Sequence, residues 1–372
     1  MHRGVQAVIS WIAENPTFAG VALRGQAEPH ELARVEEHIG SPLPSDLRVL
    51  LSHYNGGELP TGTLLTSSGD AGDSVLGTLA ALAKRLGRPV DDPELPLPFF
   101  QSGDGALLAF DRGAGPVADT WPIIDCPPEG DEIRLVHRTF DGWCRLCLSQ
   151  WTAPDFAEGF SLARYLRDGK RHVAAEPDVA AAHATVAHAL RRSGQPEQAL
   201  ASYLKAGRCV PSVAFCNWEA LKLALLLRDV ESALEAAARL CARAPKAAWR
   251  NRATQPLRVA DALSLLVAEV EPPEPLLLLL DQLRAQADNE ADAQAIAAIR
   301  HAIVSGDGVP TTHPVRSTAV PAQPDPEAWW SALEAGYQDG KVREEDLLLD
   351  PAYRPLRKLR PLSDVLRIPR EF

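Results

Sequence analysis

The pattern of apolar and polar positions changes along the first half of the chain. Up to residue 54 the apolar residues recur at helical spacing, which predicts helices over 5–13, 30–40 and 45–54. A short strand near residue 65 and a helix over 74–86 follow. Gly, Asp and Pro turns then separate three segments that predict strands: SGDGALLAFD, WPIIDC and EIRLVHRTFDGWCRLCL. With a closing amphipathic helix over 155–166, this order predicts an α+β domain, an antiparallel sheet with flanking helices, at residues 1–170.

The second half of the chain has a different pattern. Residues 175–305 are rich in Ala and Leu and are helical in period throughout. One set of positions has offsets of 0, 5, 9, 12 and 17: Gly194, Ala199, Tyr203, Ala206 and Pro211. Compatible residues recur 34 positions later, at Ala233, Ala237, Leu240 and Pro245, with Arg228 in place of the glycine. The period resembles the tetratricopeptide motif, so we predict an all-α, tetratricopeptide-like helical-hairpin domain.

A third helix pair over 259–270 and 275–285 and a capping helix over 290–304 would complete this helical domain. Residues 306–326 are rich in Pro, Thr and Gly and predict a linker. The remaining residues, 327–372, begin with a helix that carries Trp329 and Trp330, and we expect these to dock the segment on the body of the protein. Six cations against one acid make 352–370 basic, and docking on the acidic N-terminal domain is the favoured role over nucleic-acid binding.

One local motif carries a family resemblance. Over 36–60 the sequence EEHIGSPLPSDLRVLLSHYNGGELP combines a helix end, a proline break at Pro42 and Pro44, a cap at Ser45, and a glycine pair that would end the next helix. This helix–LP–helix–NGG unit resembles the N-terminal signature of the SUKH superfamily. The superfamily includes fungal cell-wall-assembly regulators and many bacterial toxin-immunity proteins.

Two later segments also resemble this superfamily. The first is the Gly103-Asp104 turn, which precedes a strand that ends at Asp111. The second is the FSLARYL pattern over 160–166. The resemblance implies that the domain binds proteins and does not catalyse a reaction. We therefore predict a protein-binding module of the bacterial toxin-immunity type. The alternative is a regulatory interaction scaffold whose helical repeats carry the binding.

Charge narrows the choice of partner. The net charge is −11, and residues 1–170 alone carry −9. Nucleic acid and anionic membranes are polyanions, so an acidic first half disfavours both as partners. It fits a basic protein partner such as a toxin domain, although acidity also serves solubility alone.

Other features predict a cytoplasmic protein. The opening segment MHRGVQAVISWIAENP has one basic residue and no small-residue cleavage site, and the most apolar run, 276–280, is too short to cross a bilayer. Six scattered cysteines do not describe a disulfide framework. A high Arg to Lys ratio with abundant Ala and Leu is compatible with a GC-rich bacterial genome.

Motifs for chemistry are weak. Cys144 and Cys147 have the spacing of half a zinc site or a redox pair, but no second pair accompanies them, so ordinary packing is favoured. The loop Ser102-Gly103-Asp104-Gly105 is better explained as a turn than as a phosphate or calcium loop. We predict no enzyme, no cofactor and no metal, because no GxSxG, HExxH or Walker sequence occurs.

Candidate contact residues follow from these two functions. In the α+β domain, acids on sheet turns and strand ends would give a negative face that steers a basic partner. The four that we select are Asp104, Asp111, Asp131 and Glu132. For the scaffold alternative, the concave face of the repeats would hold the ligand, with Tyr203, Asn217 and Lys222 as candidates.

Overall fold

The chain divides into two units, unit 1 at Met1–Ala182 and unit 2 at His183–Phe372. The computed structural model describes residues 3–18, 20–70, 72–116, 121–128, 133–242, 255–268, 274–307, 325–350, 353, 355–356 and 360–370.

Unit 1 is an antiparallel sheet with helices. Its seven strands are β1 (Ala22–Leu23), β2 (Gly57–Leu59), β3 (Gly62–Leu64), β4 (Leu97–Ser102), β5 (Leu107–Phe110), β6 (Ile123–Cys126) and β7 (Arg134–His137). They pair in chain order, each antiparallel to the next. Its helices are α1 (Arg3–Glu14), α2 (Pro29–Ile39), α3 (Ser45–Leu51), α4 (Val75–Leu86), α5 (Phe140–Trp151) and α6 (Leu162–Ala175). The predicted α+β class is confirmed.

Local sequence signals set the bounds of these helices. Gly40 and Gly87 follow α2 and α4 in the left-handed conformation, which glycine adopts without a Cβ clash. The Ser74 hydroxyl accepts a hydrogen bond from the first turn of α4, and Thr139 does the same for α5. Ser45 is the first residue of α3 and not its cap, a position that Pro44 takes.

The core of unit 1 lies between the sheet and the helices. Phe99, Phe110 and Phe140 are fully buried, and the ring centroids of Phe99 lie 4.7 Å from Phe110 and 5.4 Å from Phe140. Trp143 packs edge-on against Phe99 at 5.2 Å. Since α5 supplies Phe140 and Trp143, this helix anchors the sheet to the rest of the unit.

The prediction of one strand over EIRLVHRTFDGWCRLCL was wrong. Strand β7 ends at His137 and the helix α5 begins at Phe140. The buried residues of this segment have helical spacing, which the β-forming aromatic and Cys content concealed: Phe140, Trp143, Cys144, Cys147 and Trp151. The closing helix also lies later than predicted, because Phe156–Glu158 is only one 3-10 turn and α6 begins at Leu162.

Unit 2 is helical. Its helices are α7 (Ala180–Arg192, which begins in unit 1), α8 (Pro196–Arg208), α9 (Ala214–Leu227), α10 (Val230–Ala242), α11 (Pro256–Leu263), α12 (Glu274–Ala285), α13 (Glu290–Ser305), α14 (Pro326–Gln338) and α15 (Glu344–Leu349). Short 3-10 helices occupy Ser264–Ala268 and Leu362–Arg367. Trp329 and Trp330 of α14 are buried. Most of the predicted linker, 308–324, lies outside the described residues.

The period found in the sequence is also present in the helices. Helix α9 begins one full period after α7, and α10 begins and ends one full period after α8. The turn residues correspond as well, since Gly194 has φ +71° and Arg228, which occupies the same position of the next repeat, has φ +62°. Arg228 is the one non-glycine residue with positive φ in the described part of the chain. These correspondences are consistent with helical repeats.

Candidate functional site

Asn55 lies at the centre of a buried polar cluster in unit 1. Its side-chain oxygen accepts hydrogen bonds from Ser67 N (2.8 Å), Ser67 Oγ (2.9 Å) and Thr66 Oγ1 (3.1 Å). Its nitrogen donates to Ser68 Oγ (2.8 Å) and Glu31 Oε2 (3.1 Å). We call these five residues the Asn55 cluster. Every polar atom of the Asn55 side chain is therefore satisfied, as a buried amide requires.

Glu31 joins helix α2 to this cluster. Its carboxylate accepts from Ser68 Oγ at 2.5 Å and from Glu28 N at 2.9 Å. The hydrogen bond from Ser68 and the one from the Glu28 backbone lower the pKa of Glu31. The carboxylate is thus held in its charged form, where it is the stronger acceptor.

The two glycines after Asn55 allow close approach of other backbone segments. A Cβ at Gly56 would lie 2.8 Å from Thr66 N, and one at Gly57 would lie 2.4 Å from the Ala22 carbonyl oxygen. Both residues have positive φ. The NGG motif therefore does not end α3, which stops at Leu51; it packs the Thr66 backbone and β1 against the start of β2.

The Asn55 cluster positions an exposed loop that we call the 68–73 loop, of which residue 71 is not described. Arg34 Nη2 donates to the Gly69 carbonyl at 2.8 Å, and Arg34 Nη1 lies 3.6 Å from Asp70 Oδ1. Arg24 pairs with Asp73, and this hydrogen bond lowers the pKa of Asp73. Asp70 and Asp73 are exposed on a loop whose base is fixed, which suits a protein contact.

The acids that we selected from the sequence do not lie together. Asp104 is exposed in the β4–β5 turn, where its Oδ1 accepts from Ser102 Oγ (2.6 Å) and Ala106 N (3.1 Å). Asp111 lies at the other end of β5 and accepts from Ala114 N at 3.2 Å. Asp131 and Glu132 lie outside the described residues. Contacts of these four residues with a partner stay a prediction.

A second buried cluster in unit 1 joins β7 to α6. Glu176 Oε2 lies 2.6 Å from His137 Nδ1 and 3.2 Å from His172 Nε2, and Glu176 Oε1 accepts from Arg138 N at 2.7 Å. We call His137, His172 and Glu176 the His–Glu cluster. The sequence analysis did not identify these three residues as a site, although the four-residue spacing of His172 and Glu176 is a signal for adjacent side chains at the end of a helix.

The cysteine pair lies on helix α5 and not on a strand, so Cys144 and Cys147 share a face. Both are buried. Burial raises the pKa of Cys147 to about 12 and that of Cys144 well above its usual value. Neither thiol is therefore an activated thiolate, which is the form that binds metals and attacks disulfides.

The three positions selected in the helical unit are buried. Helix α9 is apolar on nearly all faces and packs between α8, α10, α15 and the 3-10 helix Leu362–Arg367. Tyr203 and Asn217 have no exposed surface, and in the described part of the chain neither the Tyr203 hydroxyl nor the Asn217 amide has a hydrogen-bond partner. Ligand binding through Tyr203, Asn217 or Lys222 stays a prediction, and it would require this packing to open.

Charged side chains are buried beside these positions. Glu219 bridges Lys222 (2.7 Å) and Arg191 (2.5 Å), while Glu344 accepts from Tyr337 (2.9 Å) and from Arg370. We call this set the Glu344 cluster: Arg191, Glu219, Lys222, Tyr337, Glu344 and Arg370. Burial opposes ionisation of Glu344, but the charges of Arg191 and Arg370 outweigh it and lower its pKa to about 2.

The basic tail supplies part of this cluster. Arg360, Arg367 and Arg370 pair with acids of the same unit, Glu327, Glu197 and Glu344. The tail also approaches the first repeat turn so closely that a Cβ at Gly194 would lie 2.3 Å from the Arg367 carbonyl oxygen. These tail cations thus find their partners within unit 2.

Two comparisons with known proteins bear on identity. No curated protein matches the chain. A family model, SMI1 / KNR4 family (SUKH-1), matches residues 26–145. The matched range runs from just before α2 into α5, and contains the Asn55 cluster and six of the seven strands. Within the described ranges, every helix is too short or too polar to span a lipid bilayer. The chain therefore carries a SUKH-1 domain of the SMI1 / KNR4 family at residues 26–145.

Proposed function

We propose that this chain is a non-catalytic, cytoplasmic bacterial protein of the toxin-immunity type, which binds a partner protein and blocks it. The observation that carries the proposal is the SUKH-1 domain, because this family includes toxin-immunity proteins and regulators and is generally non-catalytic. The function would lie in the surface of unit 1 and not in a reactive centre.

The charge of unit 1 supports a basic partner. The excess of acids over residues 1–170 makes a cationic toxin domain a better fit than nucleic acid. The exposed carboxylates of Asp70 and Asp104 lie on loops, where they reach a partner without disturbing the sheet. Such charges would raise the rate of association with a basic partner. Because the base of the 68–73 loop is already fixed, binding would cost less conformational entropy in this loop.

Growth rescue tests the immunity function. The products of the genes next to that of this chain would be expressed singly, and any that arrests growth would be co-expressed with the full chain. We expect rescue of growth and a stable complex on size-exclusion chromatography. The proposal fails if no neighbouring product is toxic, or if a toxic one is neither bound nor relieved.

Charge reversal tests the contact surface through the rate at which the chain associates with the purified toxic product. The variant would carry lysine at Asp104, Asp111, Asp131 and Glu132. The matched control would carry the same change of charge at four exposed acids of unit 2: Asp288, Asp307, Asp339 and Asp364. We expect slower association with the first variant only. Equal association rates would remove the acidic surface from the proposal.

A second candidate function is a regulatory scaffold in which tetratricopeptide-like repeats carry the binding. The correspondence of α7–α8 with α9–α10, one period apart, supports it. Hydrogen exchange on the full chain with its partner separates the two functions. Protection in the 68–73 loop and the sheet turns favours the immunity type, whereas protection in α7 to α10 favours the scaffold.

A further inference from the structure

The His–Glu cluster has the composition of a metal site. One ligand atom from each of His137, His172 and Glu176 lies within 4.8 Å of the other two, and all three residues are buried. Two imidazoles and one carboxylate are a ligand set that zinc uses, with a fourth position left for water or another ligand. His172 lies in the last turn of α6, and Glu176 follows the helix as its C-cap residue. The Glu176 N–H still donates to the His172 carbonyl at 2.8 Å, which places the two side chains side by side.

The distances fit an ion of this size. At metal–ligand bonds of about 2.1 Å, the ligand atoms of a tetrahedral site lie about 3.4 Å apart. His172 Nε2 and Glu176 Oε2 are already 3.2 Å apart. His137 Nδ1 and Glu176 Oε2, at 2.6 Å, would have to separate by about 0.8 Å, which small side-chain rotations supply.

The surroundings hold the carboxylate in one orientation. Arg138 N donates to Glu176 Oε1 at 2.7 Å, which leaves Oε2 to face both histidines. A Cβ at Gly142 would lie 2.7 Å from this carboxylate, so the absence of a side chain there lets the first turn of α5 approach it. Outer contacts of this kind orient metal ligands in known sites.

Charge gives a second argument. The Glu176 side chain is buried, and its carboxylate faces two imidazoles. Among the described residues no Lys or Arg side chain pairs with Glu176. A buried carboxylate without a cation is costly, and a divalent ion would compensate it.

We propose that His137, His172 and Glu176 bind a borderline divalent cation of the zinc class. The ion would cross-link the end of β7 to the end of α6, and so fix the two ends of the chain segment that lies between them. It would act as a structural clip in unit 1, with two of its three ligands beyond the part of the chain that matches the SUKH-1 model. This site is separate from the proposed contact surface and does not depend on the partner.

Metal titration of the full chain tests the proposal. Protein freed of metal by chelation would be titrated with Zn²⁺ in competition with a chromophoric chelator, and its thermal unfolding would be followed with and without Zn²⁺. We expect one tight ion per chain and a higher melting temperature when it is bound. The absence of a tight stoichiometric site in the wild-type protein would overturn the proposal.

Variants locate the site. Glu176→Gln and His172→Gln should each weaken Zn²⁺ binding by about 100-fold or more, since loss of a ligand exceeds the effect of losing an outer contact. His53→Gln is the matched control, because His53 lies in the same unit and is outside the cluster. Unchanged affinity in both cluster variants, or an equal loss in the control, would overturn the assignment.

Cobalt gives a readout on the wild-type protein alone, which decides the question if the variants do not fold. Co²⁺ bound by nitrogen and oxygen ligands should show visible absorption bands of a four- or five-coordinate site without thiolate charge transfer in the near ultraviolet. A thiolate band would instead place the ion on cysteines and overturn the proposal.

Discussion

The Asn55 cluster of unit 1 and the Glu344 cluster of unit 2 are two different ways to bury polar groups. Asn55 satisfies its side chain with one other amide hydrogen, three hydroxyl groups and a single carboxylate. The Glu344 cluster instead balances three cations, Arg191, Lys222 and Arg370, against two acids. The first depends on hydrogen-bond direction and the second on charge, so different changes should break them.

The largest effect should come from removing the central charge of unit 2. Glu344→Gln leaves Arg370 buried without its acid and Arg191 with Glu219 alone, and we expect a loss of about 3–5 kcal/mol in the free energy of unfolding. Denaturant unfolding of the full chain measures it. Glu197→Gln is the control, because its pair with Arg367 is half exposed and should contribute about 0–1 kcal/mol. Equal losses of unfolding free energy in the two variants would contradict the expectation that a buried ion pair is costlier to break than an exposed one.

Acid should weaken unit 2 through the same residue. The pKa of Glu344 is about 2 in the folded chain and near 4.5 when unfolded, so the stability due to its charge is complete above pH 4.5 and is lost as pH falls towards 2. The loss should reach about 3 kcal/mol at the lower limit.

Unfolding of the wild-type protein and of Glu344→Gln at pH 7, 4.5 and 3 measures this dependence. The charged and titratable groups that interact with Glu344 include Arg191, Arg192, Arg370, Lys222, His188, Tyr203 and Tyr337. The variant should lose less stability between pH 4.5 and 3, and a parallel decline in both proteins would contradict the assignment to Glu344.

A smaller effect is expected in unit 1. Asn55→Asp keeps the acceptor oxygen but removes both donor hydrogens and places a second carboxylate near Glu31, so we expect a loss of about 1–3 kcal/mol. Limited proteolysis should also cut the 68–73 loop faster. Asn289→Asp is the control, because Asn289 caps α13 through its side-chain oxygen, which aspartate retains. A stable, protease-resistant Asn55→Asp variant would show that the loop does not depend on this amide.

The smallest effect concerns the repeat turns. Arg228→Gly would relieve a left-handed residue at the position where the first repeat has Gly194, and we expect a gain of up to about 1 kcal/mol in the free energy of unfolding. Thermal unfolding would show it as a slightly raised melting temperature. A loss of stability would mean that other contacts of the Arg228 side chain outweigh the backbone strain.

Much of the fold could be predicted from the sequence, because several helix ends are marked by local residue signals. Gly40, Ser74 and Gly87 are local signals, and they marked helix ends correctly. Thr139 was an equally local cap, but the run of β-forming residues around it favoured a strand prediction, and tertiary packing of Phe140 and Trp143 decided for a helix. The repeat period was visible because each repeat uses the same turn.

The sites were harder to predict. His137 and Glu176 are 39 residues apart in the sequence. No local sequence signal indicates that the end of β7 lies beside the end of α6, because α5 separates the two elements along the chain. Asn55 was noted as a helix end, although its role is to hold a loop that comes well after it in the chain. Both clusters depend on long-range approach, which a single sequence does not encode in its spacing.

The two outer strands of the sheet have a consequence for recognition. Strand β1 has two residues and β7 has four, so each offers a very short row of unpaired backbone groups. Another chain could add few hydrogen bonds by extending the sheet at either side, which protects against edge-to-edge aggregation. A protein partner of the kind proposed above would therefore be recognised through side chains and loops, and not by extension of the sheet.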